Sequence, residues 1–245
     1  MFDDDVALAA YLAAGAGGIL MALRGSSDLT GNDLGDAADK AANDFLVAQL
    51  REHRPDDALL SEEECDNHAR LSASRVWIID PLDGTREYRE GRDDWAVHVG
   101  LSIDGVAAKG AVALPALDLV LTSDEDGALS LAPESPRMVV SRTRATQECT
   151  AVAEALNAEL IPMGSAGAKA MAVVRGEADI YLHSGGQHQW DNCAPVAVAL
   201  AHGLHASRID GSPLIYNEES TLLPDLLICR KEWAEPVLAL LRQKA

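Results

Sequence analysis

Apolar and small residues recur at helical spacing near the start of the chain, from Val6 to Leu23. This period predicts an opening helix, and the acidic residues just before it suit its N-terminal dipole. A segment rich in Gly, Ser, Asn and Asp, residues 25–35, predicts a mobile loop. A second helix is expected from about Asp36 to Arg51, with Asp36 as a possible cap.

Short apolar runs follow the second helix. Residues 58–61 and 75–79 read as strands, and each run ends at a cluster of carboxylates. From Trp95 to Leu121 the runs are again β-type, with Asp104-Gly105 as a two-residue hairpin turn and Pro115 as a break. Open α/β sheets bind ligands at the carboxyl ends of strands, so we expect the carboxylate clusters to meet at one site.

The pattern changes near Pro136 to strand, helix, strand, helix, and it ends with a helix around Glu232 to Leu241. We therefore predict a mixed α/β protein of two lobes. Residues 1–136 would form an N-terminal α+β lobe with the carboxylate loop, and residues 137–245 a C-terminal α/β lobe that completes the site. The site is expected between the lobes.

Charge narrows the range of partners. The 245 residues carry 20 basic and 39 acidic side chains, a formal net charge of −19. Such a chain repels nucleic acid polymers and anionic membrane surfaces. The acidic start has the wrong charge for a signal peptide, and we expect no apolar run of membrane-spanning length, which predicts a cytoplasmic protein. The four cysteines form no C-x-x-C pair and are expected to be reduced and structural.

The chemistry is concentrated in the loop Asp80-Pro81-Leu82-Asp83-Gly84-Thr85. Pro81 fixes one backbone angle, so both carboxylates and the Leu82 carbonyl can turn toward one hard cation. Gly84-Thr85 opens a helical segment whose free amides suit a phosphate. An Asp-x-x-Asp pair alone is more often a solvated turn, so the loop needs support from other motifs.

Three motifs in order supply that support. The loop resembles the D-P-[ILV]-D-[GS]-[ST] signature of the inositol monophosphatase superfamily. The segment Trp190-Asp191-Asn192-Cys193-Ala194-Pro195 resembles its W-D motif, and Ser61-Glu62-Glu63-Glu64 resembles its upstream acidic pair. Leu60 to Glu63 and Arg86-Glu87-Tyr88 are most similar to the CysQ branch. The resemblance implies a layered αβαβα sandwich of the sugar phosphatase type.

The resemblance also implies an activity and its residues. CysQ enzymes are Mg²⁺-dependent 3′(2′),5′-bisphosphate nucleotidases of sulfate assimilation. They hydrolyse adenosine 3′,5′-bisphosphate to AMP, and they also act on the related phosphosulfate. Lithium inhibition is a further expectation for the family. Two to three Mg²⁺ ions would be held by Glu62, Asp80, the Leu82 carbonyl, Asp83 and Asp191. The catalytic residues would be Thr85, Asp39 and Glu62. The substrate contacts would be Gly84, Thr85, Arg142, Ser165, Lys169, His183 and Asp191.

Several of these assignments have alternatives. The segment before Asp39 departs from the family's V-T-x-A-D pattern. Arg142 could equally be a solvated loop residue and Lys169 a surface helix residue. Asp191 could be a helix N-cap as well as a ligand, with Trp190 packing to orient it. His98 and His188 are given no role.

Other functions also stay open at this point. The position where animal-type inositol monophosphatases carry a Glu is Ser184, which leaves room for a nucleotide. Inositol monophosphatase or fructose 1,6-bisphosphatase activity is the nearest alternative, because only peripheral contacts choose the leaving group. A non-catalytic, metal-dependent nucleotide sensor is a different class. The oligomeric state is left open, with a homodimer as one option.

Overall fold

Two helices form the first layer of the protein, a computed structural model that describes residues 2–124, 131–143 and 145–243. Helix α1 spans Asp5–Ser26 and begins at Asp4, whose carboxylate accepts hydrogen bonds from the next turn. Helix α2 spans Gly31–His53. The expected loop over residues 25–35 is therefore wrong from Gly31 onward, and Asp36 lies inside the helix instead of capping it.

The first sheet lies against these helices, in the order β1-β2-β3-β4-β5. Strands β1 and β2 are parallel and the other neighbours are antiparallel. Asp104 and Gly105 both have positive φ, as a tight hairpin requires, which confirms the predicted turn. The strands are β1 (Ala58–Ser61), β2 (Arg75–Asp83), β3 (Ala96–Ile103), β4 (Val106–Leu114) and β5 (Leu119–Thr122).

The middle layer consists of α5 (Ala166–Val174) and α6 (Gln189–Ala201). Helix α6 approaches the first sheet where Gly100 of β3 pairs with Gly110 of β4. A methyl group on Gly100 would lie 2.8 Å from the Ala194 backbone nitrogen of α6, closer than real Cβ atoms come. The paired glycines therefore let the helix backbone rest on the sheet.

The second sheet has the order β10-β12-β8-β6-β7, with β6 parallel to β7 and β8. Its outer face packs against α4 (Gln147–Leu156) and α7 (Lys231–Arg242). Its strands are β6 (Arg137–Ser141), β7 (Glu159–Met163), β8 (Ile180–His183), β10 (His205–Ser207) and β12 (Leu226–Cys229). Strands β9 (Gln187–His188) and β11 (Leu222–Leu223) form a separate two-stranded antiparallel sheet. The short helix α3 (Thr85–Arg89) follows β2.

Helices and sheets thus alternate in five layers, which confirms the predicted αβαβα sandwich. Separate apolar cores lie between α1–α2 and the first sheet, between the two sheets around α5 and α6, and beneath α4 and α7. The second sheet begins at Arg137, directly after the expected lobe boundary near Pro136.

Helix α1 and one cysteine differ from expectation. An 18-residue window of α1 has a mean hydropathy of 2.0, so the helix is long and apolar enough by those measures to cross a membrane, and the expected absence of such a run is wrong. The helix owes this composition to packing, since residues such as Leu8, Leu12 and Ala16 are fully buried in the first core. Cys65 is exposed and is not a packing residue, whereas the other three cysteines are buried.

Candidate active site

A bulge at the end of β2 brings Asp80 and Asp83 to the same side. Asp80 pairs with His98 and Asp83 with Ala96, so three steps along β2 oppose two along β3. In a regular strand, residues three apart point to opposite faces. The extra residue of the bulge turns the two side chains to the same face. Strand β2 therefore runs through Asp83, four residues beyond its predicted end.

Asp191 joins this pair from the first turn of α6. One ligand oxygen from each of Asp80, Asp83 and Asp191 lies within 4.8 Å of the others. The Asp191 carboxylate also accepts a 2.6 Å hydrogen bond from the His188 backbone amide, in a capping box. His188 is the N-cap and Asp191 the third helical residue, so the N-cap alternative for Asp191 is wrong.

The start of α6 is fixed by packing and by buried hydrogen bonds. The Trp190 ring stacks on His188 with centroids 4.6 Å apart, which agrees with its expected packing role. Asn192 donates to Gln187 and accepts from the Tyr216 hydroxyl. These contacts hold Asp191 in place and do not involve the carboxylate oxygen that is left over from the hydrogen bond with His188.

Several carboxyl groups lie close together at this cluster, so their negative charges repel one another. Burial, followed by the charges of Glu62, Asp83 and Asp191, raises the pKa of Asp80 well above its usual range. Burial and Asp83 raise the pKa of Asp191 to about 6. Glu62 is exposed as a whole residue, yet desolvation of its carboxyl group and the charge of Asp191 raise its pKa to about 7. Such a set would be stabilised by a cation, and carboxylate oxygens suit Mg²⁺.

Asp83 is held differently from the other two carboxylates. It accepts hydrogen bonds from the Ala166 and Gly167 amides at the start of α5, at 3.1 and 2.5 Å. His98 Nε2 lies 3.2 Å from its Oδ2 atom. Burial alone would raise the pKa of Asp83, but His98 and the Gly167 amide outweigh it and lower the pKa to about 2.

His98 is a site residue that the sequence analysis missed. It is fully buried, and its Nδ1 atom donates to the Trp190 carbonyl at 3.0 Å. A single side chain thus connects Asp83 to the residue before Asp191. A methyl group on Gly167 would lie 2.1 Å from His98 Nε2, so glycine is needed there. The only signal in the sequence was its place within a β-type run.

Thr85, Asp39 and Leu82 lie beside the cluster. The Thr85 hydroxyl is 3.2 Å from the Leu82 carbonyl and within hydrogen-bonding reach of the Asp39 carboxyl group. Burial and the charges of Glu63 and Glu62 raise the pKa of Asp39 to about 7. The structure therefore brings Asp39 to Thr85 even though the segment around Asp39 departs from the family pattern.

A pocket of about 390 Å³ opens next to the cluster. Asp83 belongs both to the cluster and to the pocket wall. Gly84 has φ +92°, where a side chain would be strained, and a methyl group there would lie 2.9 Å from the Ser165 side chain. The expected contacts in the wall are Gly84, Thr85, Arg142, Ser165 and Lys169.

Three of these contacts are already engaged by the protein. Arg142 pairs with Glu87 and Glu90 at 2.7 Å each, so it is not a solvated loop residue. Lys169 is buried and donates to the carbonyls of residues 164 and 165, so the surface-helix alternative is wrong, and burial lowers its pKa. The Ser165 hydroxyl caps α5 by accepting from the Ala168 amide at 2.9 Å.

His183 is not brought to this pocket. It is absent from the described pocket wall, and its Nε2 atom lies 3.1 Å from the Gly186 carbonyl. Next to it, the Ser184 hydroxyl donates toward Thr146 and Glu148 at 2.8 Å each. The expected substrate contact of His183 therefore has no support from the geometry.

The fold and the carboxylate cluster define a sugar-phosphatase type of protein, and comparison with known proteins identifies its family. The profile of the Inositol monophosphatase family matches residues 4–245. The chain belongs to this family.

Individual relatives agree with that assignment. The 3′-phosphoadenosine 5′-phosphate phosphatase of Mycobacterium leprae (strain TN) is 48% identical, over 98% of this chain and 94% of the relative. The protein of the same name from Mycobacterium tuberculosis (strain CDC 1551 / Oshkosh) is 50% identical, over 84% and 80%. The crystal structure of CysQ from Bacteroides thetaiotaomicron, at 26% identity, superposes with a TM-score of 0.79 over 94% of this chain and 98% of that chain.

Proposed function

We propose that this chain hydrolyses the 3′-phosphate of adenosine 3′,5′-bisphosphate, giving AMP and inorganic phosphate, with the 3′-phosphate of the related phosphosulfate as a further substrate. The observation that carries the proposal is the cluster of Asp80, Asp83 and Asp191, of which Asp83 also lines a pocket together with Thr85. The similarity to two phosphatases named for 3′-phosphoadenosine 5′-phosphate supports this choice of substrate.

The proposal includes two to three Mg²⁺ ions. The fit rests on buried oxygens of like charge within 4.8 Å of one another, two of which have raised pKa values. When bound, the ions would supply Lewis-acid polarisation of the phosphoryl group and of the attacking water. The residues that would hold them are Glu62, Asp80, the Leu82 carbonyl, Asp83 and Asp191.

Thr85 and Asp39 would handle the proton of the attacking water. The Thr85 hydroxyl would orient the water, and Asp39, with a pKa of about 7, would take up the proton through it. The water oxygen bonds to phosphorus while the bond from phosphorus to the ribose 3′-oxygen breaks. That oxygen leaves as a hydroxyl after taking a proton from solvent water, and Asp39 returns its proton to solvent, so that protons balance over one turnover. Glu62 lies within hydrogen-bonding reach of Asp80 and would share in positioning the water.

Finer features of the proposal rest on the resemblance to the CysQ branch. They are a place in sulfate assimilation, inhibition by lithium and a cytoplasmic location. The strongly acidic composition is consistent with a soluble partner such as a small phosphorylated metabolite.

The test is Mg²⁺-dependent phosphate release from adenosine 3′,5′-bisphosphate, inositol 1-phosphate and fructose 1,6-bisphosphate, measured side by side. We expect the highest kcat/KM for the nucleotide. Equal or faster turnover of either other substrate would overturn the choice of substrate. Saturable nucleotide binding without turnover of any of the three would instead indicate a sensor.

A further inference from the structure

The pocket beside the carboxylate cluster has to accommodate a second phosphate if the proposed function is right, and the inference below rests on that function. A bisphosphate carries one phosphate to the reacting centre and a second dianion away from it. A second dianion in this acidic protein needs a cationic side chain in the pocket wall. The wall offers three: Arg86, Arg142 and Lys169.

Two of these cationic side chains are already bound to other groups of the protein. Arg142 makes ion pairs with Glu87 of helix α3 and with Glu90, the residue that caps its C-terminus. A phosphate there would have to displace two carboxylates or lie next to them. Lys169 is buried, and its ammonium group donates to two backbone carbonyls. Neither residue presents a free charge to a ligand.

Arg86 differs from its neighbours on the same short helix. The Tyr88 hydroxyl donates to the Leu20 carbonyl, Glu87 accepts from Arg142, and Arg89 donates to the Asn32 side chain. Arg86 is exposed and makes no ion pair or side-chain hydrogen bond within the part of the chain that the structure describes.

The position of Arg86 is as important as its free charge. An exposed arginine alone is usually a solvated surface residue. Arg86, however, directly follows Thr85, and it lines the same pocket of about 390 Å³ as Asp83. The guanidinium group is planar and can donate two parallel hydrogen bonds to phosphate oxygens.

We propose that Arg86 binds the second phosphate of the substrate, the one that is not hydrolysed. Arg142 is then a positioning residue that keeps Glu87 and Glu90 away from that phosphate. Arg86 accordingly selects diphosphorylated substrates over monophosphorylated ones, whereas the carboxylate cluster acts on either.

The test compares Arg86→Ala with the wild type on adenosine 3′,5′-bisphosphate and on adenosine 3′-monophosphate, which lacks the second phosphate. We expect the variant to raise KM for the bisphosphate about 10- to 100-fold, the loss typical of a hydrogen bond to a charged group, with kcat little changed. Kinetics on the monophosphate should stay near those of the wild type. Arg86→Lys should restore part of the loss.

A readout without turnover is the binding of AMP, which carries only the second phosphate. Its Kd should rise by the same factor in Arg86→Ala. Arg51→Ala is the charge-matched control, because Arg51 is exposed near the far end of α2. It should change neither the KM ratio nor the AMP affinity.

Two results would overturn the assignment. One is a loss in Arg86→Ala that is equal on both nucleotides, or no loss on either. The other is a selective loss of the bisphosphate in Arg142→Ala but not in Arg86→Ala. Faster turnover of inositol 1-phosphate than of either nucleotide would refute the proposed function, whereas AMP binding would still decide the role of Arg86.

Discussion

His98 shows how a single residue can connect two carboxylates that come from different elements, Asp83 on β2 and Asp191 on α6. Its ring contacts Asp83 on one side and the Trp190 carbonyl on the other, and Trp190 immediately precedes Asp191. Partners of this kind orient metal ligands, and losing them commonly weakens a metal site. His98 therefore positions the cluster without belonging to it.

The replacement His98→Leu should remove both contacts while keeping an apolar side chain in the buried site. We expect the Mg²⁺ concentration for half-maximal phosphatase activity to rise about 10- to 100-fold. The matched control is His202→Leu, since His202 is a buried histidine at the other end of α6. Equal Mg²⁺ dependence in the two variants would show that His98 has only a packing role.

Part of the site could be predicted from residue types and order, and part could not. The loop from Asp80 to Thr85 and the later Asp191 were identified because their chemistry is unusual at that spacing. His98 was missed because its role depends on strand register, which places it opposite Asp80. Arg142 was expected to contact substrate or to be a solvated loop residue. Its ion pairs were missed because Glu87 and Glu90 are 52 or more positions away in the sequence.

At the scale of elements, the site depends on how closely α6 approaches the first sheet. Gly100 and Gly110 face Ala194, so the helix that carries Asp191 lies directly on β3 and β4. Side chains larger than hydrogen would push the helix outward. The distance between Asp191 and the β2 carboxylates is therefore set partly by two glycines remote from the chemistry.

Gly100→Ala should destabilise the protein by about 1 to 3 kcal/mol, the usual cost of overpacking, because its new methyl group would meet the α6 backbone. It should also weaken Mg²⁺-dependent activity. The control is Gly18→Ala on α1, where nothing lies within 4 Å, and it should stabilise by up to about 1 kcal/mol. Urea unfolding measures both. Similar stability of the two variants would contradict the close helix approach.

Element boundaries were less predictable than element types. Helices α1, α2 and α7, strands β1 and β2 and the Asp104-Gly105 turn were expected, because period and turn chemistry are local signals. Helix α2 begins five residues before its predicted start, since tertiary packing of Leu34 and Gly35 overrides the loop-like composition there. Strand β2 continues through Asp83 because of a bulge, which has no clear signature in the sequence.

At the scale of the whole molecule, the carboxylate cluster opposes folding unless it is neutralised. The pKa values of Glu62, Asp39 and Asp191 are raised to between about 6 and about 7, from ordinary values of 3.8 to 4.5. An acid with a raised folded-state pKa binds more protons when folded. Its contribution to stability is present at low pH and is lost as the pH rises through the folded-state value.

The metal-free protein should therefore lose stability between about pH 4 and pH 7, as the pH rises from the unfolded-state to the folded-state pKa values of these carboxyl groups. Adding Mg²⁺ should restore stability at pH 8 and have little effect at pH 5, because protons compete with the metal there. Urea unfolding at both pH values, with EDTA or with Mg²⁺, measures this. Metal-free stability that increases over this range would contradict the electrostatic account.

The most direct test of the central claim is the rate of adenosine 3′,5′-bisphosphate hydrolysis by Asp80→Asn and the wild type at saturating Mg²⁺. Asn keeps the shape of the side chain and removes a buried carboxyl group whose pKa is already raised. Without metal, the variant should therefore be at least as stable as the wild type. We predict that kcat/KM falls by about 10²-fold or more. A folded Asp80→Asn protein with the wild-type rate would contradict a phosphatase site built on this cluster.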